Sequence, residues 1–446
     1  MPSLEKKFVS AMLALIRERR KKSPINGDDI SGIRTSAVVP AKIREAKFSD
    51  FEGVATLKHC WGLAPDSPEN WKRLWQHNPA SRYMGSEQPI GWVLEADGKI
   101  VGYLGNIPQL YRYGGKTLTA VTAHGLVVDP SYRALSASLV AAYFHQKSVD
   151  LYISTTAIEA VGKIARAFKS DPLPQAEYHT VLFWVIRPYS FSRSLMMKLG
   201  LNTVLRTLCS GFLSVAIAVE KIFERRWPRK SPSRVSVNET NVDGIDREFD
   251  DLWLQKVGEE QRLLADRTSE TLKWHFAIPS DRGDTSVLRC SVNGKLLGYA
   301  VVRHEPEDQT TGLKKSSIDD MLIANDDREV VGALILAAYR CARKAGSHTL
   351  EVMGFPQNLR AVFRSGHPYS RQYPACPYHY KAADPALHQQ LSKADQWYAT
   401  PFDGDASLIR PSYPSSPPRV TLREQMEFDR NQVAEDVAVS ERTEVV

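Results

Sequence analysis

Residues 121–144 read VTAHGLVVDPSYRALSASLVAAYF. Val121, Ala123, Leu126 and Val128 give the first part the apolar, β-branched content of a strand. Asp129-Pro130-Ser131 then stops the ladder, because proline lacks an N–H and the residue before it avoids the helical region. From Ala134 to Phe144 the residues are small or apolar with no breaker, which predicts a helix. Small residues open that helix (Ala134, Ser136, Ala137, Ser138), directly after Arg133. A strand, a tight turn and a helix that starts on small residues beside a cation make an anion cradle. The plainer reading, an ordinary strand-to-helix connection, stays open at this point.

Around this stretch lies a chain of 446 residues, 43% hydrophobic, with a mean hydropathy of −0.33. That length suits two domains of roughly 150 to 200 residues each plus tails. The formal charge of +7 and pI near 9.0 are a mild basic excess. It is enough to attract phosphate-rich ligands or anionic lipid and too small to argue for nucleic acid. Cys60, Cys209, Cys290, Cys341 and Cys376 are scattered, with no C-x-x-C and no His/Cys cluster at metal spacing. They read as reduced thiols of a cytosolic protein without a structural metal.

Residues 1–40 are expected to be an amphipathic helix followed by a polar linker. The N-terminal helix ends in a basic block and not a cleavage site. The first domain is expected over 41–186. A strand from Ala41 leads to a helix capped by Ser49 or Asp50, and Ser67-Pro68 starts a second helix with Trp71, Leu74 and Trp75 on its core face. A hairpin turns at Ala96-Asp97-Gly98, another at Gly114-Gly115, and the stretch 121–144 follows. A strand at 150–154, a helix through Ala165 and a strand at Glu177–Ile186 close the unit. The order of elements predicts a mixed α/β sheet with helices on both faces.

Residues 187–239 form a basic helical connector. Its longest apolar run, Leu208 to Val219, is twelve residues, short of the roughly twenty that span a bilayer. A connector packed against both domains and a membrane-surface anchor are the two readings. Over 240–410 the pattern returns in degraded form. SVNGKLLGYAVV repeats the turn-Gly-Lys and Gly-Tyr spacing of LEADGKIVGYL. The turn after its strand is Asn325-Asp326-Asp327, whose acids repel a pyrophosphate. Residues 411–446 are polar and charged and read as a disordered tail.

VVDPSYRALSAS resembles the acyl-CoA-binding motif of the GNAT superfamily of N-acetyltransferases, V-x-P-x-x-R-G-x-G-x-G/A. It matches at Val128, Pro130 and Arg133 and departs at Ala134, Ser136 and Ser138, where the family prefers glycine, or alanine at the last. The resemblance implies two tandem GNAT-like domains, the second degenerate. It also implies a splayed strand, Leu126-Val127-Val128, facing the pantetheine arm of acetyl-CoA or another acyl-CoA. The pyrophosphate would rest on Arg133, Ala134, Leu135, Ser136, Ala137 and Ser138. His124 lies in His-Gly-Leu-Val-Val, similar to the His-x-Leu-x-Val of arylalkylamine acetyltransferases. That likeness makes it the candidate general base, with an ordinary pKa of about 6.5 that suits the task. A histidine satisfied on a sheet face is the alternative. The tyrosine that the family uses as acid is replaced by Ile164. Thr155 and Thr156 read as a helix cap or pantetheine contacts, and Asp403-Gly404-Asp405 as a turn. The implied function is acyl transfer to a small-molecule amine or amino sugar, in a cytoplasmic protein with peripheral membrane contact open. A non-catalytic scaffold and an aminoacyl transferase are the alternatives.

Overall fold

The computed structural model describes residues 39–85, 88–223, 234–259, 261–278, 284–373 and 378–408. The N-terminal helix and nearly all of its linker, and the tail from 409, lie outside these residues. Three hairpins form as their turn residues dictate. Asp97-Gly98, Gly114-Gly115 and Asn293-Gly294 each place both central residues at positive φ, matching the twist of the flanking strands.

The expected mixed α/β architecture is present as two mixed sheets. The first runs β1 (Lys42–Glu45), β2 (Gly91–Ala96), β3 (Lys99–Tyr113), β4 (Lys116–Val128), β5 (Leu151–Ser154), β15 (His379–Ala382) and β6 (Asp171–Pro172), with β9 (Leu264–Ala265) added against β3. The second runs β8 (Val235–Thr240), β10 (Thr285–Val292), β11 (Lys295–His304), β12 (Lys315–Ile323), β13 (Thr349–Val352), β7 (Thr180–Val185) and β14 (Tyr369–Gln372). Each is an antiparallel meander whose fourth strand pairs in parallel with its fifth.

The two sheets exchange a strand. β7, expected to close the first unit, instead pairs with β13 and β14 of the second sheet. In return, β15 pairs with β5 and β6 of the first. A core cluster shared by the two sheets follows, because Tyr111, Ala120, Leu151 and Ile153 of the first pack with Trp184, Val301, Ile318 and Leu350 of the second. Trp71, Leu74 and Trp75 are buried in a separate cluster with Tyr103 and Val127, a core role as expected.

The connector is helical. Pro188–Lys198 is followed by Thr203–Phe223, a 21-residue helix. Its stretch Thr203–Ile222 is long and apolar enough to cross a membrane by length and composition alone. The helix extends past both ends of the expected twelve-residue run, since Thr207 and Glu220 do not end it.

Candidate active site

β4 decides what the first sheet can do. Its parallel pairing with β5 covers only Ala120–Thr122 against Leu151–Ile153. Beyond Thr122 the backbone of β4 has no ladder partner on that side, so its amide groups line an open edge down to Val128. On the other side the register with β3 slips between Tyr103 and Gly105, opposite Gly125. Gly125 has φ +62°, the left-handed residue of a bulge, and a Cβ there would sit 2.9 Å from Lys58 Nζ. The bulge re-aims the residues around it, His124 before and Leu126 after.

His124 is buried at the start of the open edge. Its Nδ1 is 3.4 Å from Asp405 Oδ2, and its Nε2 is 3.3 Å from both Asp66 Oδ2 and Lys58 Nζ. Lys58 donates to Asp66 at 2.7 Å. Asp405 accepts from Thr155 Oγ1 at 2.7 Å and from Thr156 Oγ1 at 3.1 and 3.2 Å. The threonines therefore hold the Asp403–Asp405 turn and do not cap the following helix, whose start at Ile158 has no side-chain cap. Gly404, φ +74°, packs directly on Thr155, and its carbonyl accepts from Gln109. The turn is thus fastened to the first sheet although it lies some 280 residues from His124 in sequence.

Electrostatics tie the group together. Burial by itself disfavours a charged imidazole and Lys58 adds to that, but Asp66 and Asp405 outweigh both and raise the His124 pKa. Burial likewise lifts the Asp66 carboxyl, and the charges of His124 and Lys58 overturn this and hold it far below the usual carboxylate range. With His124 protonated, two cations face two carboxylates and the buried charge balances. Beside them, the Tyr103 hydroxyl is buried without a hydrogen-bond partner among the described residues, and a Cβ on Gly105 would come within 2.5 Å of it. Its pKa is pushed well up, by burial and then by Asp66.

The expected phosphate turn has a different form. Pro130–Leu135 is a 3-10 helix running directly into the α-helix Ser136–Phe144. The Ser136 N–H is taken by the Arg133 carbonyl, and the Ser138 hydroxyl by the Leu135 carbonyl. The helical run thus begins at Pro130, where Asp129 accepts from the Ser131 N–H. With a Cβ at every position from Ala134 to Ser138, the segment takes right-handed turns throughout. Arg133 and Ala134 remain exposed, with Leu135 and Ser136 half-buried and Ala137 exposed. Of the strand residues, Val127 is buried and Leu126 and Val128 half-buried. Ile164 packs on the core.

In the second sheet the matching place is filled. Asp320, two residues past the last β12–β13 pair as His124 is past β4–β5, binds the buried Arg267 and Tyr299. Asp326 of the acidic turn is held by Lys256 and Arg262, each at 2.7 Å. Among the described residues no group of His, Cys, Asp and Glu side chains is placed to hold a metal ion.

Sequence reasoning reached His124 but not Lys58, Asp66, Tyr103 or Asp405. Asp66 sits in a loop without a motif, and Asp405 comes from the far end of the chain. The Asp403-Gly404-Asp405 turn was the one signal pointing toward it.

No protein-family model matches the chain, and no curated protein matches it. Solved structures do resemble it. A GCN5-related N-acetyltransferase from Anabaena variabilis is 10% identical with a TM-score of 0.49, over 77% of this chain and 73% of that one. Another from Kribbella flavida is 10% identical with a TM-score of 0.47, over 78% and 72%. N-myristoyltransferase from Saccharomyces cerevisiae, solved with bound myristoyl-CoA, is 12% identical with a TM-score of 0.45, over 87% and 90%.

Proposed function

We propose that the chain is an acyl-CoA-dependent N-acyltransferase acting on a small-molecule amine. The observation that carries this reading is the parting of β4 from β5 at Thr122, with His124 just beyond the split and backed by Asp405. The open β4 edge fits a pantetheine arm, whose amides pair with strand backbone. The turn fits the phosphates less well, through the Arg133 side chain and not through backbone donors. The thioester supplies the activated carbonyl.

The chain's own groups supply the rest. Lys58 already places a primary ammonium between Asp66 and His124 Nε2, the position an acceptor ammonium needs. An acceptor ammonium that displaces the Lys58 head from this place loses one proton to neutral His124, and Asp405 and Asp66 stabilise the imidazolium. As the new C–N bond forms and the C–S bond breaks, the β4 amides face the developing oxyanion. Tyr103, kept protonated by burial, gives its proton to the departing thiolate and takes back the second proton that the acylated nitrogen sheds.

Calorimetric titration of acetyl-CoA and longer acyl-CoAs into the purified chain tests this, with Arg133→Glu as control. Micromolar binding lost in the variant is the expected result, and no binding of any acyl-CoA overturns the reading. A second reading, a non-catalytic scaffold, is favoured by the engagement of both His124 nitrogens. Acyl-CoA binding with no acyl transfer to any amine in a broad acceptor panel would select it.

A further inference from the structure

The helix Thr203–Phe223 carries an apolar face that nothing among the described residues covers. Val204, Leu208, Phe212, Val215, Val219 and Ile222 follow one another at steps of four and three residues and are all exposed, Phe212 at 80%. From Val204 to Ile222 the stripe is about 27 Å long. The opposite face is engaged, with Ser210 and Ile217 buried. Near the helix end, Tyr369 donates to Glu220, and Lys221 donates to the Val185 carbonyl and to Tyr339 Oη. A helix held at Ser210 and Ile217 and fastened at Glu220 and Lys221 lies on a surface. Crossing a bilayer would break the Glu220 and Lys221 contacts.

Charge identifies the surface. Residues 187–230 contain nine lysines and arginines against two glutamates, a surplus of seven. That equals the formal +7 of the whole chain, so the other residues balance to zero and the entire basic excess belongs to this segment. Arg187, Arg193 and Lys198 are exposed on or next to the preceding helix. Arg187, Lys221 and Arg343, with Ile186 and Tyr339, line a cavity of about 490 Å³ beside the last turns of the apolar helix. Two copies of the chain meeting through this face would bring like charge against like charge, which disfavours a symmetric dimer.

We infer that Thr203–Phe223 is an interfacial helix that seats the protein on an anionic phospholipid surface. Its stripe enters the acyl boundary, and the exposed Arg193 and Lys198, with the Arg187/Lys221/Arg343 recess, contact headgroup phosphates. This inference stands apart from the acyl-transfer reading.

The test is co-sedimentation of the purified full chain with phosphatidylcholine vesicles, with and without phosphatidylglycerol. Binding to the anionic vesicles, weakened by high salt and reduced at least about tenfold by the double substitution Phe212→Asp, Val215→Asp, is the expected result. Both side chains are exposed, so the variant should keep the wild-type circular dichroism spectrum and melting temperature. Absence of binding to the anionic vesicles overturns the inference. So does binding that the double variant leaves unchanged, which would assign it to another segment. A dimer of the wild type that the same variant dissociates would also overturn it, by giving the stripe to a second copy.

Discussion

His124 makes one measurable promise whatever reaction the site performs. Its folded-state pKa is raised, so its contribution to stability is fully present below the unfolded value of about 6.5 and is lost as pH rises through the folded value. The stability difference between wild type and His124→Gln, from urea unfolding, is therefore expected to be larger at pH 6 than at pH 9. A difference independent of pH would mean that the imidazole is neutral between Asp66 and Asp405. His124 stands out through the likeness of His-Gly-Leu-Val-Val to the His-x-Leu-x-Val of arylalkylamine acetyltransferases, and not through its strand pattern. The sequence hid the partners, since nothing local marks Asp66 or Asp405 as neighbours of residue 124. Tertiary folding alone brings three such distant positions within hydrogen-bond reach.

Among the elements, β4 was the most legible and the turn after it the least. The strand and its hairpins follow from β-branched content and from turn residues that tolerate positive φ. The turn resembles a glycine-rich cradle in spacing, but its Ala134, Ser136 and Ser138 carry side chains that settle into helix. Backbone conformation there follows the residue types and overrides the motif. Gly125 is the opposite case, since its φ of +62° is one that other residues resist. Gly125→Ala is expected to cost roughly 2 kcal/mol, from the left-handed conformation and from a Cβ that pushes Lys58 off Asp66. A urea midpoint within experimental error of wild type would show that β4 accommodates a side chain at the bulge.

On the scale of the whole molecule, the exchange of β7 and β15 was invisible to element order, because the strands occur where a closed domain would also place them. Only pairing reveals that each completes the other sheet. With a core shared between the sheets, the two halves are expected to unfold together. Calorimetry should give one transition with equal van't Hoff and calorimetric enthalpies, and two resolved transitions would contradict that. The same exchange bears on how the protein is made. As the chain leaves the ribosome, β5 stays a bare strand edge until residues 379–382 emerge, and Asp405 reaches His124 later still. Everything up to residue 382 must be synthesised before the first sheet can close. The nascent chain therefore carries an unpaired edge, the form most prone to mispairing with a neighbour, for as long as the stretch between β5 and β15 takes to be synthesised.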